Sequence, residues 1–334
     1  MKLLDIPKPK LQHPNQVLLK IVTVGICGSD IHYYKKGKIG DQIVKYPFTT
    51  GHECTAIVEQ VGNTVSRVRT GDCVAIDPVI VCAKCAQCRS GRTHTCLNQS
   101  FLGCPGQVDG CLSEYIVMPQ ECCYVVKPEI SFEQAAFTEP LSIGIYALRL
   151  LEATVPQKIG ILGMGPIGLS VLMALKDQKD HKIYASDKID RRLTVAKSIG
   201  ANWTGNPVNL NIESEIQNQE PDMLDAVFEC CGDQDALDQA IELLKPGGKL
   251  LIVGIPDVNR ISFDINRLRR KEIRIQNVRR QNRCMESAIE LVERNSRKIS
   301  SLITHVFPFE KTRDAFELVS EYRDGVVKAI IDLS

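Results

Sequence analysis

The chain has 334 residues, too many for one ordinary hydrophobic core, and predicts about two domains. Hydrophobic residues make up 44% and charged residues 24%, as in a globular protein, and a net charge of +1 excludes the clustered basic excess of a nucleic-acid footprint. No stretch approaches the roughly 18 uncharged apolar residues of a membrane span, and MKLLDIPKPK lacks a secretory h-region, so a cytoplasmic protein without membrane or nucleic-acid partners is expected.

Residues 17–24 (VLLKIVTV), 55–61 (TAIVEQV) and 73–76 (CVAI) read as strands, with turn signals at Gly62-Asn63 and Gly71-Asp72. Short strands, glycines and prolines continue to about residue 130 and predict an antiparallel, barrel-like β domain. SFEQAAFTEPLSIGIYALRLL then shows helical spacing, interrupted at Glu139-Pro140. From 158 onward strands alternate with helices: KIGILGM, a helix over 166–177, KIYASD, a helix over 190–200, DAVFECC, a helix over 234–244, and KLLIVGI. Such alternation predicts a parallel sheet covered by helices. The tail reads as a helix near 284–294, the segment LITHVFPF, a helix near 310–322 and a last strand, KAIIDL. The basic run Arg267, Arg269, Arg270 and Lys271 reads as a solvated surface.

Gly163, Gly165 and Gly168 form G-x-G-x-x-G in GMGPIG, after an apolar strand and at the opening of a helix, which is the context the motif requires. Gly163 permits the tight turn, Gly165 lets the backbone approach a pyrophosphate, and Gly168 lets helix and strand pack closely. Pro166 suits the first helical turn, and Ile167 follows it among the residues expected to bind the cofactor. The helix N-terminus offers unpaired N–H groups to phosphates. Asp187 ends the second strand, 19 residues after Gly168, where a carboxylate accepts from both ribose hydroxyls and repels a 2′-phosphate. This favours NAD over NADP, although Lys188, Arg191 and Arg192 follow closely.

The sequence holds 14 cysteines, and in a reducing compartment their clusters suggest metal binding before disulfides. Cys82, Cys85, Cys88 and Cys96 form C-x2-C-x2-C-x7-C, and four such thiolates can close a tetrahedron around a structural zinc. Free thiols or an iron–sulfur cluster are the alternatives. Cys122, Cys123, Cys230 and Cys231 lie in strand-like text and read as small buried hydrophobes.

With CGSDIHYY at 27–34, GHE at 51–53, the thiolate lobe, EPL at 139–141 and GMGPIG, the chain resembles the zinc-containing medium-chain alcohol dehydrogenases. HYYKKGKIGDQIVKYPFTTGHE is most similar to the sorbitol (L-iditol) and related polyol dehydrogenases. The resemblance implies a GroES-like β-barrel catalytic domain at 1–141 and 280–334. A Rossmann doubly wound parallel sheet would be inserted at 142–279, with zinc and nicotinamide in the cleft between them. It also implies that Cys27 and His52 bind a catalytic zinc, that Glu53 is a third or exchangeable ligand, and that Glu139 faces the metal directly or through water. Ser29 would hydrogen-bond the substrate hydroxyl, His32 would pass its proton towards solvent, and Tyr33, Tyr115 and Arg280 would border the substrate. Arg192 would reach the adenosine ribose, with Val253, Gly254, Ile255, Asn277, Val278 and Arg279 on the nicotinamide side.

The match departs in three places. The family's customary first strand is missing before 17–24, which predicts an uncovered or rearranged edge. The four-cysteine lobe is absent from the animal sorbitol dehydrogenases. Arg279 stands where the polyol enzymes carry an aromatic residue and Gln281 where they carry Tyr, so two adjacent arginines could pair with a carboxylate or phosphate on a substrate. The expected reaction is NAD-linked oxidation of a secondary hydroxyl of a polyol or sugar to a ketone. An L-threonine or butanediol dehydrogenase and a non-catalytic NAD-binding redox sensor are the rivals. The resemblance also implies a homodimer or homotetramer, for which KLLIVGI could supply the edge strand.

Overall fold

A computed structural model of the chain describes residues 1–178 and 180–334. In chain order come β1 (Gln16–Gly25), α1 (Gly28–Lys36), β2 (Glu53–Val61), β3 (Cys73–Ile76), β4 (Tyr115–Pro119), β5 (Cys123–Val125), α2 (Phe132–Ala136) and α3 (Thr138–Leu151). There follow β6 (Lys158–Leu162), α4 (Pro166–Gln178), β7 (Lys182–Ser186), α5 (Asp190–Ile199), β8 (Trp203–Gly205), α6 (Ile212–Gln219), β9 (Leu224–Glu229), α7 (Gln234–Leu243) and β10 (Leu244–Ile252). The chain closes with α8 (Ile265–Lys271), β11 (Arg274–Asn277), α9 (Met285–Arg294), α10 (Ser296–Leu302), β12 (Ile303–Pro308), α11 (Thr312–Ser320) and β13 (Lys328–Asp332). It divides into two compact units, 1–139 with 285–334, and 140–284.

The first unit is built on a seven-stranded sheet in the order β12-β13-β1-β2-β3-β5, with β4 also pairing β1. All its pairings are antiparallel except β12 with β13. Val17, Leu19, Ile21 and Val24 of β1 enter a core shared with Val74, Met118 and Phe316. β1 is paired on both sides, by β2 along one and along the other by β4 over its first half and β13 over its last three residues. One of the Thr23 and Thr55 hydroxyls donates to the other at 2.6 Å, and the second donates to the Phe132 carbonyl oxygen, which lies 3.1 and 3.2 Å from the two. That anchors the start of α2, whose Ser131 cap accepts from Gln134 N. The helical text read as one pattern broken at Glu139-Pro140 breaks instead at Phe137. Pro140 sits in the first turn of α3, where no intrahelical bond is lost.

The second unit is a parallel six-stranded sheet in the order β8-β7-β6-β9-β10-β11. Counted within the unit this is 3-2-1-4-5-6, the doubly wound order, whose switch point lies between β6 and β9. Gly168 to Leu175 of α4 are all buried, as expected for a helix against such a sheet. KLLIVGI was expected at the margin, but β10 is internal, and the polar strand β11 (RIQN) is the margin beside it.

Candidate active site

In the first unit β1 delivers Cys27 as the N-cap of α1, and the start of β2 delivers His52 and Glu53. The ligand atoms of Cys27, His52 and Glu53 all lie within 4.8 Å of one another. Asp30, 1% exposed, ties the two segments together. One carboxylate oxygen accepts from Cys27 N at 3.0 Å; the other accepts from Thr50 Oγ1 at 2.5 Å and Gly51 N at 3.1 Å. The same Asp30 oxygen faces His52 Nδ1 at 3.7 Å, and that buried nitrogen makes no hydrogen bond. Burial, reinforced by Glu53 and Asp30, pushes the Cys27 thiol well above its ordinary range. Burial likewise raises Glu139 to about 7, with Glu53 adding to the rise and His52 and Lys328 opposing it. Glu139 thus feels the cluster's charges but stands outside the three-donor set.

A thiol, an imidazole and a carboxylate converging in a buried pocket, with an orphaned imidazole nitrogen, fit a zinc ion. Ser29 and His32 follow Cys27 on α1 three residues apart, and therefore share one face of it. Tyr33 is buried and donates from its hydroxyl to Gln42 Oε1 at 2.9 Å. Tyr115 is not brought to this cluster. It pairs with Lys20 on β1, five residues before the Gly25–Glu53 pair, about 16 Å along the strand, and its ring lies 3.9 Å from Lys8 Nζ.

Sequence reading missed two members. Asp30 was inside the quoted CGSD segment but had no role. Lys328, on β13, is 1% exposed, and its ammonium group pairs with Glu53 Oε2 and donates to the Ile26 carbonyl at 3.0 Å. Nothing local marks a lysine at the head of an apolar strand as the partner of a glutamate 275 residues earlier.

The four cysteines of the lobe also form one donor set within 4.8 Å. Their sulfurs stand 3.6 Å (Cys85–Cys88), 3.8 Å (Cys85–Cys96) and 3.4 Å (Cys96–Cys82) apart. A zinc–sulfur tetrahedron with bonds near 2.3 Å has edges of about 3.8 Å, so the fit is close. Backbone N–H groups already point at the sulfurs: Leu97 N lies 3.5 Å from Cys85 and Cys82 N 3.4 Å from Cys96. Hydrogen bonds from the Lys84 backbone and the Asn98 amide lower Cys82 to about 6, while burial raises Cys88 to about 12.

In the second unit the glycine turn lies at the carboxyl end of β6. Gly163 adopts φ +93°, and a Cβ on Gly168 would stand 1.9 Å from the Gly163 carbonyl oxygen, so both must be glycine. The corresponding position on Gly165 meets only Arg192 Nη1 at 3.6 Å, which leaves its backbone open to approach. Asp187 accepts from Met164 N at 2.7 Å and Ile189 N at 2.8 Å, so it anchors the glycine loop as well as facing Arg192 at 3.8 Å. Each carboxylate oxygen keeps a lone pair for a ribose hydroxyl. Glu229, fully buried at the end of β9, was also missed. Its carboxylate accepts from Cys231 N and Gly232 N at 2.7 and 2.6 Å, and its carbonyl accepts from Val253 N and Gly254 N at 2.8 and 3.0 Å. It thereby fixes the loops after β9 and β10, where Val253, Gly254 and the exposed Ile255 lie. Asn277 ends β11 and Val278 N donates to the Ile252 carbonyl at 2.9 Å. Arg279 is exposed, and Arg280 is half-buried at φ +52°, in a loop whose Asn282 and Arg283 carbonyls accept from Arg149.

A doubly wound nucleotide sheet and a barrel-like unit with two metal-ready donor sets define a metal-assisted, dinucleotide-linked oxidoreductase. Residues 13–128 match the alcohol dehydrogenase GroES-like domain and 166–294 the zinc-binding dehydrogenase domain. The chain is 34% identical to a Bacillus subtilis sorbitol dehydrogenase over 332 residues, 99% of this chain and 94% of the relative. Among solved structures, galactitol-1-phosphate dehydrogenase of Escherichia coli superposes with a TM-score of 0.89 at 25% identity, covering 99% of this chain and 96% of that one. An alcohol dehydrogenase of Escherichia coli CFT073 complexed with NADH superposes at 0.86 and 27% identity, covering 98% and 94%. The chain belongs to the zinc-binding alcohol dehydrogenase family, with a GroES-like domain and a Rossmann domain. It is an oxidoreductase, and its cofactors are zinc and a nicotinamide dinucleotide. Among the described residues no helix is long and apolar enough to cross a membrane.

Proposed function

We propose that the chain oxidises a secondary hydroxyl of a polyol or sugar to a ketone, with NAD as hydride acceptor. The observation that carries this is the convergence of Cys27, His52 and Glu53 within 4.8 Å, in a chain 34% identical to a sorbitol dehydrogenase. Cys27, His52 and Glu53 would hold the catalytic zinc, which when bound lends a hydroxyl the acidity that hydride donation requires. Asp30 fixes the Cys27 segment and the loop before His52 through hydrogen bonds to Cys27 N and Gly51 N. Ser29 Oγ would accept a hydrogen bond from the substrate hydroxyl, relaying its proton by giving up its own, and His32, one turn along α1, would pass that proton towards solvent. Glu139, whose carboxyl is raised by burial while no cation is present, would face the cluster directly or through water. Gly163, Gly165 and Gly168 with Pro166 and Ile167 would cradle the pyrophosphate, and Asp187 with Arg192 the adenosine ribose. The GroES-like domain boundaries near 141 and 280 and a homo-oligomeric assembly remain part of this proposal.

Arg279 and Arg280 favour a second substrate class, a polyol bearing a carboxylate or phosphate, because two adjacent guanidinium groups suit an anion. The similarity to a galactitol-1-phosphate dehydrogenase supports it. The test is NADH formation on a panel of neutral polyols, sugar acids and polyol phosphates, with and without a chelator. Turnover indifferent to chelator refutes the zinc role, and absence of turnover on every member of the panel refutes the polyol reading. For Arg279→Phe, an unchanged preference between charged and neutral substrates refutes the anion reading.

A further inference from the structure

We infer that Lys328 is a positioning residue for the metal: it holds one oxygen of Glu53 and so keeps that carboxylate an exchangeable ligand. The inference rests on the reading of Cys27, His52 and Glu53 as the zinc set. Lysine is almost never fully buried without a partner, yet the Lys328 side chain is 0% exposed and that of Glu53 2%. Three strands are shaped around the pair. Gly25 of β1 stands opposite Glu53 of β2 and Ile330 of β13, and a Cβ there would lie 2.5 Å from Glu53 Oε2 and 2.8 Å from Lys328 Cε. Any larger residue at 25 would push the two apart. The second Lys328 bond, to the Ile26 carbonyl at 3.0 Å, ties the ammonium to the residue preceding Cys27.

Such a pair is weak evidence of stabilisation, because buried ion pairs are often replaceable by apolar side chains. Its location is the informative part. Glu53 has two oxygens. One belongs to Lys328, while a Glu53 oxygen also falls within 4.8 Å of a Cys27 and a His52 ligand atom. The adjacent positive charge withdraws electron density from the carboxylate and repels a divalent cation, so Glu53 binds zinc less tightly than an unpaired glutamate would. Lys328 thereby trades metal affinity for a ligand that can yield.

The experiment follows zinc release from the intact protein to a chromogenic chelator. The release phase of the thiolate lobe is assigned as the one lost in Cys85→Ser. Removing one charge at this distance predicts that Lys328→Met releases the remaining zinc about tenfold or more slowly than wild type. Lys328→Arg returns the rate to that of wild type, and in a Glu53→Gln background the effect of Lys328→Met largely disappears. Lys328→Gln, which keeps a donor for the Ile26 carbonyl but no charge, is measured beside it, so that poor folding of the methionine variant leaves the test standing. A lysine with a merely structural role gives faster release on substitution. Release at the wild-type rate or faster from the folded neutral variants overturns the inference. Wild-type protein holding no zinc outside the lobe overturns the reading on which it rests.

Discussion

At the amino ends of β6 and β7, Glu220 is 4% exposed and accepts from Lys158 Nζ at 2.6 Å, Lys182 Nζ at 2.5 Å and the Tyr184 hydroxyl. Burial alone would raise its carboxyl, but the hydrogen bonds from Lys158, Lys182 and Tyr184 outweigh it and lower the group from 4.5 to about 2. A carboxyl depressed in the folded state contributes stability that is fully present above its unfolded value and is lost as pH falls through the folded value. At about 1.4 kcal/mol per unit the ceiling is roughly 3 kcal/mol. Lys158 and Lys182 are 37% and 50% exposed, so solvent screening reduces this to about 1–2 kcal/mol. Glu220→Gln should therefore lower the unfolding free energy of the Rossmann domain by about 1–2 kcal/mol at pH 7, and the gap from wild type should close between about pH 5 and pH 2. Trp203, the single tryptophan, lies on β8 with its ring 6.3 Å from that of Tyr184, so urea titrations followed by its fluorescence read this unit directly. A gap that stays constant from pH 7 to pH 3 refutes the argument, as does a gap too small to measure at pH 7.

Asp30→Asn keeps the shape but weakens the acceptor shared by Cys27 N, Gly51 N and Thr50, and zinc affinity in chelator competition should fall about ten- to a hundredfold. Cys85→Ser should remove one equivalent of zinc by metal analysis and lower the melting temperature while leaving the other equivalent in place. Asp187→Ala removes the acceptor for Met164 N and a ribose partner, so the KM for NAD should rise at least about tenfold, while the KM for the alcohol moves little.

What the sequence revealed was local. The glycine turn declares itself because strand, turn and helix are consecutive, and the thiolate lobe because its four ligands fall between residues 82 and 96. α1 escaped notice because GSDIHYYKK has no apolar stripe; only Asp30 and Tyr33 are buried. The margin of the parallel sheet was misplaced because RIQN has too few apolar residues to read as a strand, whereas KLLIVGI advertises one. Asp30 and Lys328 depend on pairing between distant strands, which no spacing encodes. Lys328 reaches Glu53 only because Gly25, between them, has no side chain. Tyr115 shows the same limit from the other direction: a matching position in the text did not fix where along β1 it would stand.

The two donor sets show how surroundings assign a task to a metal. In the lobe, four sulfurs already stand near tetrahedral spacing and are wrapped by backbone N–H groups, so an ion there has no position left to offer and acts as a staple. Around Cys27 the donors are mixed, with the carboxylates of Asp30, Glu53 and Glu139 buried nearby and Lys328 paired to Glu53. Without a cation that much negative charge is not sustained, which is why burial and neighbouring carboxylates raise both Cys27 and Glu139. A divalent ion reverses the balance and lets Cys27 ionise. On the inference drawn above, Lys328 would moderate that attraction, because it pairs with Glu53 and offsets part of its charge.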